Sequence, residues 1–203
     1  MSVLWWMGDY LDKGIIMRAN RNNYEVTINA IASEFWVKKA FDSTVRFETN
    51  ISKLDSYILE HSPIRVEEYF IELKNIPTFV STHYCRHKIG VEHFVLSNRN
   101  DRGGDDDVDR WTPVNHSMKI NAEALINLAR KRLCLTSHEE TVYIMNMIKE
   151  EIAKVNHNLG QMLVPNCVYR NGLCKEIKSK NKCLNGMMKK YSYYRDLFIT
   201  DNV

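Results

Sequence analysis

Hydrophobic and polar positions along the chain predict mostly helix, with one clear alternation. From Glu25 to Ala40, residues Ile28, Ile31, Ala32, Phe35 and Val37 fall near helical spacing and predict a helix. Leu54, Ile58 and Leu59 predict a second helix, stopped by Glu60-His61-Ser62-Pro63. Val66 to Leu73 alternates instead, with Tyr69, Ile71 and Leu73 on one face, and predicts a strand. Pro77 suits the start of a helix, where its missing N–H would be unpaired anyway, and that helix is expected over Thr78 to Ile89. Asn98 to Asp109 is a polar loop.

Ile120, Ala124, Leu125, Leu128 and Leu133 predict a helix from about Ser117 to Leu133. Ser137 and Glu140 have the spacing of a capping box. After them, Met145, Ile148, Ile152 and Val155 make one apolar stripe. From about residue 165 the chain is less regular, rich in Lys, Asn and Gly, and ends in Tyr191, Tyr193 and Tyr194. The expected fold is helix-rich α+β with a small central sheet, in one domain over residues 1–203 with an irregular C-terminal segment.

Composition changes this picture little. The chain has 203 residues, 44% hydrophobic and 26% charged, which is ordinary globular composition. No apolar run is long enough to span a membrane. The N-terminus lacks a basic n-region and a small-residue cleavage site, so no signal peptide is expected and a cytoplasmic protein is. A net charge of +3 is too mild to make nucleic acid the main partner. The Lys-rich stretch Lys175 to Lys190 before Tyr191, Tyr193 and Tyr194 keeps a nucleic-acid accessory protein as a minor alternative. The five cysteines are expected to be reduced thiols. Cys167, Cys174 and Cys183, with His157 as a fourth ligand, are a candidate zinc set; they lack the tight Cys-x2–4-Cys spacing of structural zinc sites, so no metal is expected.

The densest chemistry lies in Ser81-Thr-His-Tyr-Cys-Arg-His-Lys-Ile89, followed by Ser97-Asn98-Arg99. On a helix, His83 and His87 share a face. Arg86, Lys88 and Arg99 offer forked and point-charge donors suited to phosphates, and Ser97 adds a neutral hydroxyl. These residues make a candidate anion or nucleotide site. The alternative is a solvated basic face, with Ser97-Asn98 capping a turn, His83 packed as a half-buried ring and His61 capping the helix that it ends.

Arg86-His87-Lys88 followed by Ser97-Asn98-Arg99 resembles the signature of the flavin-dependent thymidylate synthases (ThyX): Arg-His-Arg, a seven-residue spacer, then Ser, with Arg two further on. The flanks agree, with His61, the strand Val66–Leu73 and Ile76-Pro77 preceding the signature in the family's order. A weaker match is Leu159-Gly-Gln-Met-Leu-Val-Pro165. The sequence departs from the pattern at Lys88, at the eight-residue spacer Ile89 to Leu96, at His83 where the family has Gln, and at Gln161 where it has an Arg for the substrate phosphate. Arg130, Arg132 and Arg170 are candidate replacements for that Arg.

The resemblance implies FAD bound at the interfaces of a homotetramer, with residues from several subunits completing each site. It implies methylation of dUMP to dTMP, with methylenetetrahydrofolate as carbon donor, NADPH as reductant and reduced flavin as hydride carrier. Carried over by position, Arg86, His87, Lys88 and Ile89 would touch the flavin, and His61 its adenosine or diphosphate part. Ser97 and Arg99 would hold the pyrimidine nucleotide and act in catalysis, joined by His83 and Gln161. The departures leave open another pyrimidine substrate, such as dCMP, or another 5-substituent.

Overall fold

The computed structural model describes residues 20–32, 34–44, 51–104, 107–174, 176 and 183–198. The leading segment, Asp105–Asp106 and most of the Lys-rich stretch after Cys174 lie outside them. Among the described residues, four strands form one antiparallel sheet in the order β1-β2-β4-β3: β1 Glu25–Ala30, β2 Glu68–Pro77, β3 Val91–Val95 and β4 Pro113–Asn121. The helices are α1 Glu34–Asp42, α2 Lys53–Ile58, α3 Thr78–Cys85, α4 Ala122–Arg132, α5 Glu139–Val155, α6 His157–Met162, α7 Asn166–Tyr169, α8 Leu184–Lys190 and α9 Tyr193–Asp196. No described helix is long and apolar enough to cross a membrane.

β2 is the strand that the alternation predicts. Tyr69, Ile71 and Leu73 are each 1% exposed or less, on the face covered by helices. Its partner β4 carries Met118 and Ile120 on the same face, equally buried. This face joins Leu125 and Leu128 of α4 and Ile144, Met145, Ile148 and Ile152 of α5 in one core.

Three expected helices need correction. Glu25 to Ala40 is not one helix: Val26 and Ile28 turn inward beside Leu73 and Ile71 on β2, and the helix begins at Glu34. β-Branched side chains on alternate positions favour the pleated sheet when a partner strand is present. The helix expected from Ser117 starts at Ala122; Val114, His116, Met118 and Ile120 alternate inward as a strand, and Asn121 caps α4 by accepting from the Ala124 N–H at 2.9 Å. Helix α3 stops at Cys85 rather than Ile89, and the turn after it leads into β3, an edge strand with no clear sequence signal.

At the start of α5 the Ser137–Glu140 box does not form. The Ser137 hydroxyl donates to the Lys131 carbonyl, and the Glu140 N–H is capped by His138 Nδ1. The Glu140 carboxylate is held instead by Arg21 and the Tyr24 hydroxyl. Val155, the last residue of the expected stripe, is 52% exposed.

Two buried polar arrangements hold the helices in register. Glu67, before β2, accepts from the hydroxyls of Tyr57 and Tyr69, and from Asn156 Nδ2 at 2.7 Å. Lys53 Nζ lies 3.2 Å from the same carboxylate. Asn156 also caps α6 through the Leu159 N–H. On the far side, Lys149 of α5 donates to the Leu163 carbonyl at 2.7 Å and to the Tyr193 hydroxyl at 2.8 Å, under the Tyr191 ring. Burial, and then Lys190, push its amine down to about 8.

Candidate functional site

The turn between α3 and β3 presents Arg86, Lys88 and Ile89 to solvent, with Ile89 90% exposed. Gly90 closes the turn at φ +70°, and its carbonyl accepts from the Asn121 N–H at 3.0 Å. A Cβ there would stand 2.6 Å from the Asn121 side chain, so the turn sits against the start of α4 only with glycine in place. β3 then carries exposed Phe94 and Val95 along the sheet edge, and exposed Leu96 follows it. Ser97 and Arg99 follow directly. The first and second halves of the signature are thus joined by one short edge strand.

His87 is tied down from two sides. Arg132 Nε donates to its Nε2 at 3.1 Å, and its backbone carbonyl accepts from His93 Nε2–H at 2.7 Å. Because a guanidinium only donates, His87 Nε2 carries no proton and the neutral ring bears it on Nδ1. Burial first, and then Arg132, Lys131 and His93, push this ring down to about 4. Arg132 also donates to the His83 carbonyl at 2.5 Å, closing the end of α3. His93 Nδ1 faces His116 Nε2 at 2.9 Å, and the wholly buried His116 is likewise pushed down to about 4, by burial and then His93.

The His87 and His116 rings set a pH dependence. Each has a folded pKa below the ordinary value near 6.5, so the unfolded chain takes up protons that the fold resists. Stability from this source is complete above about pH 6.5 and is lost as pH falls toward 4. Guanidinium unfolding between pH 7.5 and 5 should show that loss, and it should be smaller in His116→Leu. Equal losses in the two proteins would show that His116 does not carry it.

The other sequence candidates fall in several places. His83 packs between α3 and α5, with Nδ1 2.9 Å from the Thr141 hydroxyl and its ring against Phe79; burial, and then Arg132, lower its pKa. Ser97 Oγ accepts from the Arg99 N–H at 3.3 Å, the turn-capping arrangement. Arg99 forms a two-pronged pair with Asp101 at 2.8 Å, well exposed. His61 makes no capping bond from its side chain; its ring lies against Phe41, 5.6 Å between centroids. Gln161 lies on α6, which packs on α2, α4 and α5, and its carbonyl accepts from the Tyr193 hydroxyl. Among the candidate phosphate partners, Arg130 is engaged by Glu60 and the Tyr169 ring, and Arg132 by the signature itself. Sequence reasoning missed Arg132 as the residue that fixes His87; its only signal is a basic last turn on α4.

No protein-family profile matches the chain, and no curated protein does. Solved structures do. The UMP/dUMP methylase PolB from Streptomyces cacaoi, bound with 5-Br dUMP, superposes with a TM-score of 0.51 at 14% identity, covering 68% of this chain and 94% of that one. Thymidylate synthase X from Helicobacter pylori, with FAD and dUMP, superposes with a TM-score of 0.54 at 13% identity, covering 66% of this chain and 96% of that one. The fold is that of the ThyX proteins, an α+β arrangement with one small antiparallel sheet. The signature residues quoted above lie on a chain that has this fold.

Proposed function

We propose that the chain is a flavin-dependent methyltransferase acting at C5 of a pyrimidine deoxynucleotide, converting dUMP to dTMP with methylenetetrahydrofolate as carbon donor and NADPH as reductant. The observation that carries the reading is the exposed Arg86–Ile89 turn, joined by β3 to Ser97 and Arg99 on a ThyX-like fold. The residues suit FAD: two exposed cations for a diphosphate, an exposed apolar side chain for a flat ring, and a neutral His87 with a donor on Nδ1. When bound, the flavin supplies the hydride. Arg86 and Lys88 bind its anionic part, while His87, oriented by Arg132, donates a fixed hydrogen bond. Arg99 binds the pyrimidine nucleotide and offsets negative charge that grows on the base, and Ser97 donates its hydroxyl.

The homotetramer fits the same surface. Ile89, Phe94 and Leu96 are 90%, 52% and 60% exposed, and neighbouring subunits would cover them and complete the flavin site. The second reading, a changed pyrimidine or 5-substituent, is favoured by His83, which stands where the family has Gln and whose Nδ1 is engaged by the Thr141 hydroxyl.

Purified protein should show a flavin spectrum or gain one on adding FAD. Arg86→Ala should weaken FAD binding while changing stability by no more than about 0.5 kcal/mol, because the side chain is exposed. Protein that neither carries nor binds FAD at micromolar concentration defeats the reading. Product masses from dUMP, UMP and dCMP would then separate the two readings.

A further inference from the structure

The end of α3 and the two strands beside it bring together three side chains that the flavin reading does not use. Cys85 is the last residue of α3, His93 is the middle residue of β3, and His116 lies on β4. In the strand register His93 stands opposite Met118 and His116 opposite Val95, so the two rings are diagonal neighbours on one face of the sheet. α3 packs on β4, with the Tyr84 ring against His116. Among the described residues, the ligand atoms of Cys85, His93 and His116 all lie within 4.8 Å of one another. Ligand atoms on one tetrahedral zinc ion stand about 3.3–3.6 Å apart, so side-chain adjustments of about an ångström close the set.

The hydrogen bonds already select the nitrogens that would bind. His93 Nε2 faces the His87 carbonyl at 2.7 Å. A carbonyl only accepts, so Nε2 carries the proton and Nδ1 holds a lone pair. That lone pair faces His116 Nε2 at 2.9 Å. The two nitrogens are held together by one bridging proton or by one cation. His116 is wholly buried, and its Nδ1 has no hydrogen-bond partner. A buried imidazole with one unpaired nitrogen costs stability that an apolar side chain would not, and a ligand role accounts for its presence.

We propose that Cys85, His93 and His116 bind one zinc ion through Sγ, Nδ1 and Nε2. The Cys85 thiol gives its proton to solvent, the His116 proton moves from Nε2 to Nδ1, and three zinc–ligand bonds form. The single thiolate leaves the centre with a charge of +1, and water fills the fourth position. One thiolate with two imidazoles suits zinc rather than the hard cations that seek oxygen. The His93 Nε2–H bond to the His87 carbonyl is the outer contact that metal-bound histidines ordinarily make. It also links the site to the signature turn, which leaves the helix at Cys85 and enters the strand that carries His93. The ion thus ties α3 to the sheet edge at the base of that turn. Cys167, Cys174 and Cys183 with His157, the set that stands out in the sequence, do not converge in this way among the described residues. Zinc and protons compete for His116, so the loss of stability on acidification described above is that of the zinc-free chain.

Protein purified under reducing conditions without added metal should contain about one zinc per chain. After a chelator removes the zinc, cobalt should give the visible and thiolate charge-transfer bands of a tetrahedral site, read against the zinc form so that any flavin colour cancels. Cys85→Ser and His93→Gln should lose the zinc and the charge-transfer band, and Cys134→Ser should keep both. Zinc should also raise the thermal unfolding midpoint of the chelated wild type and leave that of Cys85→Ser unchanged. The wild-type spectrum and midpoint stand even where a variant does not fold. A folded chain that takes up neither zinc nor cobalt overturns the proposal. So does zinc kept in Cys85→Ser, zinc lost in Cys134→Ser, or copper found in place of zinc. None of these readouts needs flavin or nucleotide, so a failure here is distinct from a failure of the enzyme reading.

Discussion

Glu67→Ala should destabilise the fold by about 3–5 kcal/mol, near the upper end for a single substitution. The carboxylate is 7% exposed and accepts from Tyr57, Tyr69 and Asn156. Both phenol rings are at most 1% exposed, so neither hydroxyl can turn to bulk water when its acceptor is removed. Each stranded donor costs about 1–3 kcal/mol, and the three are not additive because Asn156 also donates to both hydroxyls at 2.8 Å. Tyr57→Phe removes the hydroxyl's bond to the carboxylate and the one it accepts from Asn156, but leaves Tyr69, Asn156 and Lys53 on the carboxylate, so it should cost less. Guanidinium unfolding of the three proteins measures this. A Glu67→Ala penalty below about 1 kcal/mol would mean that water enters and repairs the network.

Arg99→Ala should raise the dissociation constant for the pyrimidine nucleotide roughly ten- to a hundredfold, the worth of a hydrogen bond to a charged group, about 1.5–3 kcal/mol. Arg99 is held by Asp101 in the structure, but the pair is 68% and 58% exposed, and such pairs contribute only about 0.2–1 kcal/mol. A nucleotide can therefore take the guanidinium from Asp101. The opposite sign follows for Asp101→Ala, which frees the guanidinium and removes a repelling carboxylate; it should bind the nucleotide more tightly. Ser97→Ala should cost less than Arg99→Ala, and FAD binding should survive all three changes. Calorimetric titration with dUMP and dCMP decides. Equal affinity of wild type and Arg99→Ala would place the nucleotide elsewhere.

Periodicity misleads where two patterns overlap in the chain. Ile120, Ala124, Leu125 and Leu128 fit a helix, and that fit hid the inward alternation of Val114, His116, Met118 and Ile120 just before it. Asn121 marks the change, as the cap that the Ala124 N–H needs. β1 was hidden in the same way, because Ile28 and Ile31 are three apart while Val26 and Ile28 are two. β3 offers no single-sequence signal: its burial pattern is that of an exposed edge, and what holds it is β4. Tyr69, Ile71 and Leu73 were legible because one face of β2 is wholly apolar. In the candidate site, the order of Arg86, His87, Lys88, Ser97 and Arg99 was plain. Arg132 was not, because only the packing of α4 brings it to His83 and His87, far away in the chain.

Lys149 has a consequence for chemical labelling. An amine pushed down to about 8 is free base for about a tenth of its time at pH 7, against well under a thousandth for an ordinary lysine. It is thus a latent nucleophile, yet Tyr191 and Tyr193 cover it. An acylating reagent reaches it only when the last helices lift away, so its acylation rate, followed by peptide mass, is a clock for the local opening of that end of the molecule.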